Sequence, residues 1–127
     1  MEEELRALLL SHAPITDIVA NRIDWGVNTQ GALFPRVVLT VISSAEGIVM
    51  NGSNNLEQSR VQVDCYAMTY GQCKSLSRAI INFLHVYRGG GFRLITHESV
   101  RDSRESGTNE AERPFRVSLD FLTAWRA

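Results

Sequence analysis

The sequence has no basic tract and very little net charge. Its 13 lysines and arginines face 14 aspartates and glutamates, which leaves a formal net charge of −1. A protein that neutralises a row of phosphates carries a clear excess of cations. The composition therefore argues against sequence-independent DNA binding by a single copy of the chain.

Long hydrophobic runs and cysteines are also scarce. The longest apolar stretches, such as residues 8–10 and 37–39, are far shorter than the ~20 residues of a membrane-spanning helix. The acidic start is unlike a secretory signal, so we expect a soluble protein, made in the cytosol, with no membrane partner. The spacing of Cys65 and Cys73 suits neither a disulfide framework nor a metal site, and we expect both to be small buried side chains.

Catalytic and metal-binding motifs are absent from the sequence as well. Residues 88–92 contain three glycines, but they follow a predicted helix and lead into a strand, the reverse of a phosphate-binding loop. His12, His85 and His97 fall on three different predicted elements, which favours satisfied or exposed histidines over metal ligands. We therefore predict no cofactor, no metal and no catalytic residue.

What the sequence does contain is a series of helical and alternating hydrophobic patterns that fit one domain over residues 1–127. Helices are predicted at 2–12 and 14–20, and a main helix has an apolar stripe from Cys73 to Tyr87 and ends at Gly89-Gly90-Gly91. Strands are predicted at 22–25, 36–47, 58–68, 92–102 and 115–121. Residues 26–34 form a loop in this prediction, and residues 50–55 and 103–113 form two polar hairpin tips.

Two of the strands alternate strictly between apolar and polar residues. The apolar face carries Val61, Val63, Cys65, Phe115, Val117, Leu119 and Phe121. The polar face carries Arg60, Gln62, Asp64, Arg116, Ser118 and Asp120. We predict an α+β fold with an antiparallel, ferredoxin-like sheet of about four to five strands and helices on one face. The repeated Arg-x-x-x-Asp spacing favours cross-strand or intersubunit ion pairs over a catalytic carboxylate pair.

The order and spacing of these segments resemble the phage tail completion family over nearly the whole chain. Members are small neck proteins of long-tailed phages and gene-transfer-agent-like particles, also called tail terminators or head-to-tail joining proteins. The matching segments are residues 5–9, 22–26, 34–39, 60–67, 70–84 and 115–121. The resemblance implies a tail-terminator-like fold and a structural protein that is not an enzyme.

The resemblance also implies a role in assembly. A ring of copies, expected to be a hexamer, would cap the tail tube and join it to the head connector, adaptor or stopper protein. DNA would pass through the lumen without specific binding, and the protein would be assembled in the host cytoplasm and reside in the virion. The expected oligomer-interface residues are Arg60, Gln62, Asp64, Arg116 and Asp120. The expected tube or connector contacts are Asn51, Gly52, Asn54, Asn55, Gly107, Asn109 and Glu110.

Two other functions fit the same elements. One is a non-viral assembly or scaffold module whose strands build an oligomer. The other is a nucleic-acid-binding domain of the ferredoxin-like class. The polar face argues against the second, because it presents Gln62, Asp64 and Ser118 where base stacking and phosphate contact require aromatic and basic side chains.

Overall fold

The computed structural model describes residues 1–26, 34–49, 52–104 and 114–126, with side chains at 1–26, 34–44, 56–103 and 114–126. The described residues form three helices and six strands. The helices are α1 (Glu2–Leu10), α2 (Ala13–Val19) and α3 (Tyr70–Leu84). The strands are β1 (Ile23–Trp25), β2 (Arg36–Val49), β3 (Gly52–Ala67), β4 (Tyr87–Gly89), β5 (Phe92–Arg104) and β6 (Phe115–Trp125). No helix among the described residues has the length and apolar character to cross a bilayer.

All six strands belong to one sheet in the order β1-β2-β3-β6-β5-β4. β1 runs parallel to β2, and every other neighbouring pair is antiparallel. The prediction of an antiparallel sheet of about four to five strands is therefore confirmed for four of the five strand pairs and corrected in two respects: the described sheet has six strands, and β1 is parallel to β2. β4 has only three residues, too few for alternation to be visible, and the direction of β1 depends on how the chain returns to β2.

The three helices cover one face of this sheet, as predicted. The apolar residues of the two alternating strands face them, and cross-strand partners such as Val61 with Phe121 and Val63 with Leu119 lie on the same side. Helix side chains including Leu5, Leu9 and Ile80 complete one buried cluster. Hydrophobic burial between the helix stripes and the sheet is thus the main source of stability.

The main helix contains the predicted apolar stripe from Cys73 but ends earlier than predicted. The Thr69 side chain accepts a hydrogen bond from the backbone N–H of Gln72 (3.2 Å), which caps the first turn. The helix stops at Leu84, because the backbone of the next residue is extended. Tyr87, predicted to lie on the helical stripe, belongs to β4 instead.

The three glycines form the β4–β5 turn and do not end the helix. Gly90 has a φ of +54°, a backbone conformation that residues other than glycine rarely adopt. The Glu4 carboxylate accepts a hydrogen bond from the N–H of Gly91 (2.8 Å), which ties α1 to this turn. A Cβ atom at Gly91 would collide with the Trp125 side chain. The segment is therefore a structural turn, as its sequence context predicted.

Both cysteines are buried and free, as expected. Burial raises the pKa of the Cys65 thiol and raises that of Cys73 to about 11. Because the thiolate is the reactive form, we expect neither thiol of the folded protein to react with an aromatic disulfide reagent at neutral pH. Both should react after denaturation. Rapid labelling of one thiol in the native state would contradict this prediction.

Candidate assembly surface

The face of the sheet opposite the helices carries the predicted interface residues. The β3–β6 register pairs Gln62 with Asp120, Asp64 with Ser118 and Tyr66 with Arg116. Residues that are direct partners in antiparallel strands lie on the same face with their Cβ atoms about 5 Å apart. The structure therefore brings together four of the five predicted residues, and we call this surface the helix-free face.

Asp64 is the centre of a polar network on the helix-free face. Its carboxylate accepts hydrogen bonds from Arg116 Nε and Nη2 (both 3.2 Å), from Ser118 Oγ (2.6 Å) and from Gln62 Nε2 (3.0 Å). Only 4% of Asp64 is exposed. A buried carboxylate is tolerated when its oxygens are saturated by donors and a cation. The contacts satisfy Asp64 within one copy of the chain.

Asp120 extends this network to β5. It accepts a hydrogen bond from Ser99 Oγ (2.7 Å) and a longer one from Arg101 Nη2 (3.5 Å). The same Arg101 nitrogen reaches Gln62 Oε1 at 3.4 Å. The Arg101 side chain is 62% exposed, so this ion pair contributes little to stability.

Arg60 is the predicted interface residue that stands apart from the network. The register places it opposite Leu122 and not opposite Asp120. Among the described residues, its side chain makes no ion pair or hydrogen bond. The two Arg-x-x-x-Asp repeats are therefore not equivalent, since Arg116 joins Asp64 while Arg60 has no carboxylate partner in the described part of the chain.

Sequence reasoning missed two contributors to this face. Ser99 and Arg101 face Asp120 and Ser118 because β5 has a register shift between His97 and Ser99. The extra residue of a bulge changes which side chains share a face. No pattern in the local sequence predicts the position of this bulge. Alternation alone therefore assigns the wrong side to half of β5.

Buried Arg36 is a second charge that the sequence analysis did not single out. It is 5% exposed, and its Nη2 donates to the Asp24 carboxylate (2.8 Å). Asp24 pairs with Val38 in the β1–β2 register, which puts this ion pair on the helix-free face as well. The pair links the edge strand β1 to the body of the sheet.

The other half of the helix-free face is more apolar. An open groove of about 270 Å³ is lined mainly by β5 and β6 residues, with two from β3. The lining residues are Gln58, Ser59, Leu94, Thr96, Leu122, Thr123 and Ala124. Leu122 is 38% exposed. The helix-free face thus combines a saturated polar network with an apolar groove, a composition suited to protein contact more than to catalysis.

The opposite side of the sheet holds an exposed polar link between α3 and β5. Tyr70 Oη donates to Asp102 (2.8 Å), and Lys74 Nζ lies 3.3 Å from the same carboxylate. The Tyr70 hydrogen bond, followed by that of Lys74, lowers the pKa of Asp102. Any stabilisation from this link is present at neutral pH and disappears as the pH falls below about 4, where the unfolded chain binds the proton first.

Two histidines meet just beyond the other end of α3. The backbone N–H of His97 donates to His85 Nδ1 (3.0 Å), and His97 Nε2 lies 3.0 Å from the Ser99 carbonyl oxygen. His12 is elsewhere and stacks on Phe83 with ring centroids 3.9 Å apart. Within the described ranges, no group of three or more His, Cys, Asp or Glu side chains could hold a metal ion.

The predicted tube or connector contacts fall partly outside the described residues. Gly52, Asn54 and Asn55 belong to β3, so the β2–β3 connection is shorter than the predicted tip. Asn51, Gly107, Asn109 and Glu110 lie outside the described residues.

The two long hairpins leave the sheet at opposite ends. β2 and β3 meet beyond the Glu57–Trp125 pair, while β5 and β6 end at the Arg104–Phe115 pair. Phe115 in turn lies opposite Ala67, at the far end of β3. The chain therefore places one of these two long hairpins at each end of the sheet.

Comparison with known proteins agrees with this architecture. The sequence model of the family described as Tail completion protein gp17 matches residues 3–125. No curated protein matches the chain. Among solved structures, a chain in the virion of a native gene transfer agent (GTA) particle is similar in fold.

That likeness extends over almost the whole of both chains. The TM-score is 0.68 at 17% identity, over 97% of this chain and 95% of the other. At this identity the likeness concerns the fold, and the family assignment depends on the sequence match. Since that match leaves only two residues at each end, the chain belongs to the Tail completion protein gp17 family of phage-like structural tail proteins.

Proposed function

We propose that this protein closes the tail tube of a phage-like particle as a ring, expected to be a hexamer, and joins the tube to the head connector. The family match over residues 3–125 carries this proposal. The role is structural: copies associate head to tail, and closure of the ring ends tube growth.

The placement of the hairpins supports a joining role. A protein between a tube and a connector needs contact regions on two opposite sides. β3 has 16 residues, which at the usual rise of a strand corresponds to about 50 Å between the two hairpin ends. We propose that residues 50–55 meet one neighbour and residues 105–113 the other.

The charge balance supports passage of DNA through the ring without specific binding. The formal net charge of −1 offers no general attraction for phosphates. On the helix-free face, the cations Arg36, Arg101 and Arg116 are each paired with a carboxylate of the same chain, while Arg60 has no carboxylate partner among the described residues. Cations that are paired with carboxylates attract a passing polyanion less strongly than free cations do.

The first test is the mass of the purified protein in solution, alone and after mixing with the tail-tube protein of the same particle. We expect a ring in solution, or a monomer that becomes a ring only on tubes, and electron microscopy should place this density at one tube end. A protein that stays monomeric and does not bind tail tubes would refute the proposal. A stable oligomer without tube binding would favour the non-viral assembly module, and salt-dependent affinity for RNA or DNA would favour the nucleic-acid-binding domain.

Charge changes at the two hairpin ends test the joining role separately. Asn54→Lys with Asn55→Lys should weaken binding to one neighbouring protein, and Gly107→Lys with Asn109→Lys should weaken binding to the other. The mass of the ring should stay the same in both variants. Pull-down with tube protein and with connector protein distinguishes them. If one double variant lost binding to the tube protein and to the connector protein equally, the proposal that the two hairpins bind different neighbours would be contradicted.

A further inference from the structure

The outer edge of β2 is largely unpaired in a single copy of the chain. β1 pairs only with Val37, Val38 and Leu39. The N–H of Gly26 adds one more hydrogen bond, to the Leu39 carbonyl (2.9 Å). From Thr40 onwards, no described strand lies along this edge. Ile42 is the extra residue at a register shift and is 50% exposed.

The outer edge of β5 is unpaired over its second half. β4 pairs with β5 only as far as Ile95. The two histidines then cap the next backbone groups, since His85 accepts from the N–H of His97 and the His97 ring contacts the Ser99 carbonyl oxygen. Beyond this cap, residues 100–103 are exposed and no described strand pairs with them on the outer side. Val100 is 46% exposed.

The two free edges match in direction and in character. Three antiparallel steps separate β2 from β5, so the two strands run in opposite directions. If copies are related by rotation about an axis roughly along the strands, the β5 edge of one copy meets the β2 edge of the next in antiparallel orientation. Each edge also carries one half-exposed β-branched residue, Ile42 or Val100. Such residues favour strand positions that become buried by a cross-strand neighbour.

We propose that the sheet continues from copy to copy, with β2 of one copy adding to the second half of β5 of the next and Ile42 packing beside Val100. The inference rests on the proposed ring and specifies which surfaces close it. The two edges differ, so the contact is head to tail, and it gives a closed ring when the rotation from copy to copy returns to the first copy. The bulge in β2 and the charges around Val100 are features that protect sheet edges from non-specific pairing. A strand that binds here must match these features, and we propose that it belongs to another copy of this chain.

Disulfide trapping tests the pairing directly. Directly opposed residues in antiparallel strands have Cβ separations compatible with a disulfide. We expect the double variant Ile42→Cys with Val100→Cys, oxidised after mixing with tail-tube protein, to give a ladder of covalent multimers up to the full ring on a non-reducing gel. The native thiols are buried and should not contribute.

Controls separate this inference from the ring itself. Each single cysteine variant should stop at dimers, and Asn82→Cys with Val100→Cys, which uses an exposed helix position, should give no ladder. Rings on tubes with no ladder from the Ile42→Cys, Val100→Cys double variant would overturn the edge pairing and leave the proposed function intact. Absence of any ring on tubes would overturn both.

A charge at the edge supplies a test without cross-linking. Val100→Lys should raise the concentration needed for ring formation by roughly tenfold or more, because the ammonium group would be forced beside Ile42. Met68→Lys is the matched control, since Met68 is 38% exposed and lies on neither edge. Equal ring formation by wild type and Val100→Lys would contradict the proposal.

Discussion

Replacing Asp64 with alanine is expected to lower the free energy of unfolding of the isolated chain by roughly 2–4 kcal/mol. The change removes the acceptor for Arg116, Ser118 and Gln62 at a site that is almost fully buried. The Arg116 side chain is 30% exposed and can regain water, which keeps the loss below that of a fully buried pair. Urea unfolding of the monomer measures the effect.

Asp102→Ala is the matched control for this prediction. It removes the same charge from an exposed ion pair on the other side of the sheet, where we expect a loss below about 1 kcal/mol. An unchanged midpoint for Asp64→Ala would mean that the internal network has little energetic value. If the same variant also failed to form rings, Asp64 would act mainly between copies, as the sequence alone suggested.

Replacing Phe121 with alanine is expected to cost about 3–5 kcal/mol. Phe121 is 1% exposed and lies opposite Val61 on one side and His97 on the other. Removing its ring leaves a cavity between the sheet and the helices that rigid strands cannot close. Since domains of this kind are stable by about 5–15 kcal/mol, the variant should unfold at much lower denaturant concentration.

Leu122→Ala offers a comparison one residue away. Leu122 lies on the helix-free face and is 38% exposed, so we expect a loss of less than about 1.5 kcal/mol. Chemical denaturation of both variants, followed by tryptophan fluorescence, gives the two values. Similar losses at positions 121 and 122 would contradict the assignment of faces in β6.

Much of the fold was predictable because the relevant patterns are local. Alternation in β3 and β6 correctly identified the side of both strands that packs against the helices, and the spacing of Cys73, Leu76 and Ile80 correctly identified the buried stripe of α3. Each of these patterns follows from the geometry of a single element, which repeats every two residues in a strand and every 3.6 in a helix.

The errors came from features without a local signature. β4 is too short to show a period, so Tyr87 was counted as part of the main helix. The prediction of the candidate assembly surface was incomplete for a similar reason, because Arg101 contacts Asp120 only as a result of the register shift in β5. The polar partners on the helix-free face therefore could not all be named from sequence.

The sequence by itself determined which residues of the regular elements face the core between the helices and the sheet and, through the order of its segments, the family of the protein. Only the tertiary structure decided the strand order, the parallel pairing of β1 and the pairing of Arg116 with Asp64 across β3 and β6. Strand neighbours are selected by contacts between residues far apart in the chain, and no local period encodes those contacts. The same long-range pairing leaves the edges of β2 and β5 open, where we expect the next copy to bind.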